Sequence, residues 1–144
     1  MKIQYLQTLD SRIMEVRQKV FVEEQGFVDE FDEIDKRAIH LLLLENQLPI
    51  GTARLFLTDE KQQTYRIGRV AIIKEYRGKK LGNEILRCLE EKAKELGAKK
   101  LELSAQCRVE KFYEKNGYVA SGHIYLDEGC PHIHMEKQLN PTAI

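Results

Sequence analysis

The chain has 144 residues, of which 42% are hydrophobic and 32% charged, and its 23 basic and 23 acidic side chains cancel. This length and composition are typical of one globular domain, residues 1–144, around a single core. The balanced charge gives no reason to expect a nucleic-acid partner, and no apolar run is long enough to span a membrane. Three cysteines without CxxC spacing, in a sequence without an export signal, favour a reducing, cytoplasmic setting.

The N-terminal part of the sequence predicts a strand, a helix and an acidic connection. Residues 3–6 alternate weakly, as in a short strand, and a helix begins near Thr8 or Asp10, either of which could cap it. The apolar side chains of this helix share one face: Leu9, Ile13, Val16, Val20 and Phe21. Residues 27–36 then carry five carboxylates. We interpret this stretch as a solvated connection, and the alternative is a substrate-side loop that prefers a cationic amine.

The remaining strands are predicted from β-branched and alternating residues bounded by turn residues. Three of them, over residues 39–45, 50–58 and 65–73, are expected to form an antiparallel meander. After a long helix, the pattern predicts a strand over 100–105, a short helix over 108–115 and two last strands over 118–125 and 132–138.

A basic loop before the long helix is the most informative stretch of the sequence. Leucine, isoleucine and alanine recur at helical spacing over residues 81–96, and Gly97 ends the helix. Residues 77–82 read Arg-Gly-Lys-Lys-Leu-Gly. The N–H groups at a helix start attract anions, and Arg77, Lys79 and Lys80 add charges that suit phosphate. The loop matches neither a Walker loop nor a dinucleotide fingerprint.

This loop resembles the pyrophosphate loop of GNAT-type N-acetyltransferases, which usually reads Gln or Arg, two variable residues, Gly, one variable residue, and Gly or Ala. Arg77 and Gly82 fit that pattern, whereas Lys80 stands where the middle glycine usually is. The side chain of Lys80 must therefore point away from the phosphates, or the loop must sit slightly further back. A second segment, Phe-Tyr-Glu-Lys-Asn-Gly-Tyr over residues 112–118, is similar to another motif of the family.

Further segments resemble the ElaA/YjcF-like subgroup: residues 20–25, the acidic run with Asp35 and His40, Ala105 with Gln106, and residues 129–133. The resemblance implies an α+β GNAT fold, with a mixed, mostly antiparallel sheet of about seven strands flanked by helices. It also implies acetyl-CoA as co-substrate and no metal.

The same resemblance implies where acetyl-CoA binds, namely in a splayed gap between the fourth and fifth strands. The pantetheine would pair with the backbone of Val70, Ala71 and Ile72. The pyrophosphate would lie on the amides of Arg77, Gly78, Lys79, Lys80, Leu81, Gly82 and Asn83. Gln106 and Phe112 complete the expected cofactor-binding set, and Phe112 would border the pantetheine arm.

In the expected reaction, an amine attacks the thioester and a backbone N–H near Ile72 stabilises the oxyanion. Tyr113 occupies the family position of the acid that protonates the leaving thiolate, and the alternative is a tyrosine that is only packed. The base is open between Glu24, Asp35, His40, His132 and a water chain.

We therefore expect an N-acetyltransferase that acetylates a primary amine of a small molecule or peptide by direct attack in a ternary complex. The alternative is a non-catalytic acyl-CoA binding or sensing module. A third hypothesis is a metal-dependent enzyme, because Cys130, His132 and His134 alternate along one strand. Strand edges near the C-terminus would suit a homodimer.

Overall fold

A computed structural model describes residues 1–27 and 31–139 of the chain. Its strands are β1 (Lys2–Leu6), β2 (Ile39–Glu45), β3 (Leu48–Asp59), β4 (Thr64–Ile72), β5 (Lys100–Gln106), β6 (Val119–Asp127) and β7 (Cys130–Gln138). Its α-helices are α1 (Ser11–Arg17), α2 (Leu81–Glu95) and α3 (Glu110–Lys115). A π-helical segment, Gln18–Glu24, continues α1, and 3-10 turns span Glu33–Lys36, Lys74–Tyr76 and Cys107–Val109. None of the described helices has the length and apolarity that a membrane span requires.

The seven strands form one sheet in the order β1-β2-β3-β4-β5-β7-β6. Every neighbouring pair is antiparallel except β4 and β5, which run parallel. The helix α2 supplies the crossover that a parallel pair requires. The predicted mixed, mostly antiparallel sheet of about seven strands and the predicted meander are therefore confirmed.

The helices α1 and α2 lie on opposite faces of the sheet. Ile13 of α1 packs with Leu42 of β2. The next residue, Leu43, points to the other face, where a Cβ placed on Gly51 would lie 3.3 Å from both Leu43 and Ile85 of α2. Asp10 caps α1, as its side chain accepts hydrogen bonds from two backbone N–H groups of the first turn.

A gap opens between β4 and β5. Their ladder pairs only Thr64–Arg66 with residues 100–102, although β4 continues to Ile72 and β5 to Gln106. On its other edge, β4 carries a bulge where Arg69 adopts φ +52° and the pairing with β3 shifts register. A bulge bends its strand and increases the local twist, which helps β4 to leave β5. The splayed gap expected between the fourth and fifth strands is thus present.

The described part of the acidic stretch is only partly the solvated connection that we expected, because Asp32, Glu33 and Lys36 are exposed but Asp35 is buried. Asp35 is only 3% exposed and accepts hydrogen bonds from the guanidinium groups of Arg17 and Arg54. Asp32 accepts further bonds from Arg54 and Arg69. The charges of both aspartates are therefore directed to arginines of the fold, and the hint of a cationic acceptor loses this support. Val28, Asp29 and Glu30 lie outside the described residues.

Candidate active site

A cleft of about 610 Å³ occupies the gap between β4 and β5. This volume falls within the range of small-molecule and cofactor sites. Val70 and Ile72 of β4 line one wall, and Leu103, Ser104 and Gln106 of β5 line the other. Since β4 and β5 do not pair here, the backbone groups that face the gap form no ladder hydrogen bonds between the two strands.

The cleft reaches both faces of the sheet. On the face of α2 it is lined by Gly82 of that helix and by Phe112 and Tyr113 of α3. On the face of α1 it is lined by Arg54, Phe56 and other side chains that alternate with the α2-facing residues of β3. A ligand in the gap can therefore present one end on each face.

The basic loop leads from the end of β4 into the N-terminus of α2. Lys80 is the residue before the helix and adopts φ +61° and ψ 23°, the left-handed conformation that glycine accepts most readily. Lysine stands here where the family pattern usually has glycine, and its backbone adopts a conformation that favours glycine. The Lys80 side chain is exposed and does not line the cleft. The first turn of α2 thus leaves its N–H groups directed toward the loop.

The Arg77 side chain lines the cleft and also bonds to other groups of the protein. Two guanidinium nitrogens of Arg77 donate to the carboxylate of Glu24, and its Nε donates to the carbonyl of Ile72 at 3.0 Å. The hydrogen bond from Arg77 lowers the pKa of Glu24 below its ordinary value. This ion pair joins the π-helical segment to the loop.

The structure brings most of the predicted cofactor residues to the cleft, but not all. The predicted residues that line it are Val70, Ile72, Arg77, Gly78, Gly82, Gln106, Phe112 and Tyr113. The side chains of Ala71, Lys79, Lys80, Leu81 and Asn83 do not line it. Ala71 is buried in the core, Leu81 packs against it, and the amide oxygen of Asn83 accepts a bond from Asn116.

Sequence reasoning missed the wall on the α1 face. The lining residues that we did not predict include Phe27, Ile34, Arg54, Phe56, Arg66, Gly68, Arg69, Ser104, Arg108 and Asp127. One signal was available, because Arg54 interrupts a strand of otherwise apolar and small residues. A charged residue at such a position is buried only when it is paired.

Tyr113 projects from α3 into the cleft and is only 9% exposed. Its ring makes edge contacts with the rings of Phe112 and Tyr118. Burial raises the pKa of the Tyr113 hydroxyl to about 12, so the phenol stays protonated at neutral pH. No residue in the described part of the chain hydrogen-bonds this hydroxyl. A protonated, uncommitted phenol in the cleft has the properties of a proton donor.

Two of the proposed bases are wrong on geometry. Burial alone would raise the pKa of Asp35, but the hydrogen bonds from Arg17 and from the backbone of Asp32 lower it to about 2. His40 is fully buried, and its Nε2 lies 2.9 Å from the carbonyl oxygen of Asp35. Neither side chain lines the cleft. Glu24 is engaged by Arg77 and does not line it either, which leaves His132 as the one named base that does.

The proposed metal ligands Cys130, His132 and His134 do not converge. Within residues 1–27 and 31–139, the ligand-type side chains that approach one another are instead Glu102, His134 and Glu136. His134 Nε2 lies 3.0 Å from Glu136, and Lys100 also contacts that carboxylate at 3.5 Å. Alternation along β7 places Cys130, His132 and His134 on one face, but it does not bring their ligand atoms together.

The family model described as an acetyltransferase (GNAT) domain matches residues 7–139. The chain belongs to the GNAT acetyltransferase family. The seven-stranded sheet with its three helices is the GNAT acyl-CoA N-acyltransferase fold, as expected from the motifs. The family makes acyl transfer the activity class of this protein.

Relatives and solved structures agree with that assignment. The Bacillus subtilis protein YjcF, named as an uncharacterized N-acetyltransferase, is 34% identical over 125 residues, which cover 85% of this chain and 87% of YjcF. The crystal structure of Escherichia coli ElaA superposes with a TM-score of 0.83 at 26% identity, covering 95% of this chain and 99% of ElaA. An acyl-CoA N-acyltransferase from Pseudomonas aeruginosa also gives a TM-score of 0.83 at 25% identity, covering 94% and 98% of the two chains. The expected resemblance to ElaA and YjcF is therefore confirmed.

Proposed function

We propose that this protein is an acetyl-CoA-dependent N-acetyltransferase that acetylates a primary amine of a small molecule or peptide. One observation carries the proposal: an unpaired stretch of β4 and β5 opens directly beside a helix N-terminus that begins with a basic loop. A long ligand with a diphosphate at one end and an acyl thioester at the other fits this arrangement. The diphosphate lies on the loop amides of residues 77–83, and the pantetheine lies along residues 70–72.

The acetyl end then reaches the middle of the sheet, where the two faces meet. The acceptor amine enters from the face of α1, opposite the helix that holds the diphosphate. Binding both substrates together allows direct attack, because the enzyme holds the amine next to the thioester carbonyl. A backbone N–H of β4 near Ile72 stabilises the oxyanion that forms.

Tyr113 protonates the leaving thiolate. Two observations support this role: its ring lines the cleft, and burial raises its pKa to about 12. The phenol therefore carries its proton through the neutral range and lies where it can donate that proton to the sulfur as the C–S bond breaks. The second proton that the amine nitrogen releases restores the phenol.

A thiol-release assay tests the proposal. The protein is incubated with acetyl-CoA and, in turn, with polyamines, aminoglycosides, amino acids and peptides, and free coenzyme A is measured. We expect acceptor-dependent release with at least one class. With that acceptor, Tyr113→Phe should lower kcat by about 100-fold, the lower end of the range for general acid catalysis.

The matched control is Tyr65→Phe, because Tyr65 is a half-buried tyrosine of β4 that does not line the cleft. Its turnover should stay within twofold of the original protein. Binding of coenzyme A without thiol release across the whole panel would instead favour a non-catalytic acyl-CoA sensor. Release that is unchanged in Tyr113→Phe would remove Tyr113 from the mechanism.

A further inference from the structure

His132 lies on β7 and faces the acceptor side of the cleft. It pairs with Gln106 of β5 and with Tyr125 of β6. Residues that pair directly across neighbouring strands point to the same face of the sheet. Phe56 pairs with Arg66, and Arg66 pairs with Glu102 of β5. Gln106 follows Glu102 by four residues and so points to the same face as Phe56. His132 therefore lies on the α1 face, where the acceptor amine is proposed to enter.

The hydrogen bond of its ring defines the tautomer of His132. Nδ1 lies 2.7 Å from the carbonyl oxygen of Cys130, and a carbonyl oxygen can only accept. Nδ1 must therefore carry the proton in the neutral ring, which leaves a lone pair on Nε2. In the described part of the chain no group donates to Nε2.

The ring is also held in place. His132 is only 6% exposed and lies 6.0 Å from the Tyr125 ring, centroid to centroid, with 25° between the ring planes. No carboxylate of the described residues forms an ion pair with it. The Tyr125 ring lies against it, and the charged side chains of Asp127 and Arg108 line the same cleft. A fixed, buried imidazole with one free lone pair in a cleft is arranged to accept a proton.

We propose that His132 Nε2 is the base that takes the proton from the acceptor ammonium, directly or through one water. This inference rests on the proposed function. The neutral amine then forms the N–C bond to the thioester carbonyl, and the C–S bond breaks. The nitrogen releases two protons in all. One ends on the thiol of coenzyme A, supplied through Tyr113, and the other leaves with solvent from His132.

A first experiment reads the tautomer without any acceptor. Long-range proton–nitrogen correlation spectra of the ¹⁵N-labelled protein separate a protonated ring nitrogen from one with a lone pair. At a pH where the ring is neutral, we expect His132 to show a protonated Nδ1 and a lone pair on Nε2. A proton on Nε2 would overturn the proposal, whether or not an acceptor is known.

A second experiment uses whichever amine releases thiol with the original protein. His132→Asn keeps an N–H donor near the position of Nδ1 and removes the base. We expect kcat/KM to fall about 100-fold at pH 7 with unchanged coenzyme A affinity. The difference in kcat/KM between His132→Asn and the original protein should shrink as pH rises, because more of the amine is then already deprotonated in solution. A merely structural role would give a deficit that does not depend on pH.

His123→Gln serves as the control, because His123 is an exposed histidine of β6 outside the cleft. It should retain the original rate at every pH. An active protein whose His132→Asn variant matches the original at pH 7 contradicts the role of His132 and leaves the proposed function standing. No thiol release from the original protein contradicts the proposed function itself, and the tautomer measurement still decides the state of His132.

Discussion

At the scale of single residues, Lys80 shows how a departure from a family pattern is absorbed. The family pattern usually has glycine there, the residue that adopts a left-handed backbone most readily. Lys80 adopts that same conformation, φ +61°, with its side chain exposed. The left-handed conformation costs a non-glycine residue about 1–2 kcal/mol of stability. The loop geometry is thus kept at a cost in stability rather than changed.

This cost gives a testable prediction for Lys80→Gly. Glycine removes the steric penalty but loses more backbone entropy on folding, about 0.5–1 kcal/mol. We expect the free energy of unfolding to rise by about 0.5–1 kcal/mol, measured by urea denaturation. The control is Lys79→Gly, where φ is not positive. Lys79→Gly should lower the free energy of unfolding by about 0.5–1 kcal/mol, because only the entropy loss applies there. If Lys80→Gly lowered it by the same amount, Lys80 would not be strained.

Residue-scale prediction failed where it depended on packing. Charge and glycine spacing located the basic loop between a strand and a helix, where the structure has it between β4 and α2. Arg17 was missed, although it lies at helical spacing four residues after Ile13 and three before Val20, on the apolar face. It is buried and bonded to Asp35. The partner lies 18 residues away, and sequence spacing within one helix cannot show it.

At the scale of elements, the start of α2 and the side of α3 define one end of the cleft. A Cβ built at Gly82 would lie 3.0 Å from the Cζ of Phe112, closer than ordinary contact. Phe112 lines the cleft. The absence of a side chain at residue 82 therefore allows the ring to sit against the first turn of α2.

We predict that Gly82→Ala displaces the Phe112 ring and weakens coenzyme A binding about tenfold, which corresponds to about 1.4 kcal/mol. Isothermal titration calorimetry measures the change. Global stability should not fall in parallel, because alanine favours the helix over glycine. Adding Phe112→Leu to Gly82→Ala should recover part of the lost affinity relative to Gly82→Ala alone. A double variant no better than the single one would show that the ring is not the cause.

The helices and strands were mostly predictable from the residues, whereas the gap between β4 and β5 was not. Alternation and helical spacing predicted the seven strands and three α-helices that the described residues form, with ends that differ by a few residues. The bulge at Arg69 and the π-helical segment Gln18–Glu24 had no sequence signal that we recognised. Both depend on how neighbouring elements pack. The gap was expected only from the resemblance to a family.

At the scale of the whole molecule, a buried ion network ties the N-terminal helix to the sheet. The carboxylate of Asp35 receives hydrogen bonds of 2.7 Å from Arg17 of α1 and 2.9 Å from Arg54 of β3. Arg54 and Arg69, which also line the cleft, share Asp32. The network thus connects α1, the 3-10 turn at Glu33–Lys36 and the α1 face of the cleft.

Asp35→Asn should therefore destabilise the whole fold. Removing the charge takes away the carboxylate that the buried Arg17 and Arg54 share, while Arg54 keeps its hydrogen bonds to Asp32. We therefore expect a loss of about 3 kcal/mol, the lower end of the range for a broken buried ion pair. Glu33→Gln is the control, because Glu33 lies on the same turn but its side chain is 87% exposed. We expect its effect to stay within about 0.5 kcal/mol. Urea denaturation at pH 7 measures both.

The pH dependence of this effect has a defined sign. The pKa of Asp35 lies near 2 in the folded chain against an ordinary 3.8. A carboxyl group with a lowered folded pKa adds stability above its unfolded pKa and loses it as pH falls toward the folded pKa. The stability difference between the original protein and Asp35→Asn should thus be full at pH 7 and pH 5, and should shrink between about pH 4 and pH 2. A difference that stays constant down to pH 2.5 would mean that the cost of Asp35→Asn does not come from the ionised carboxylate.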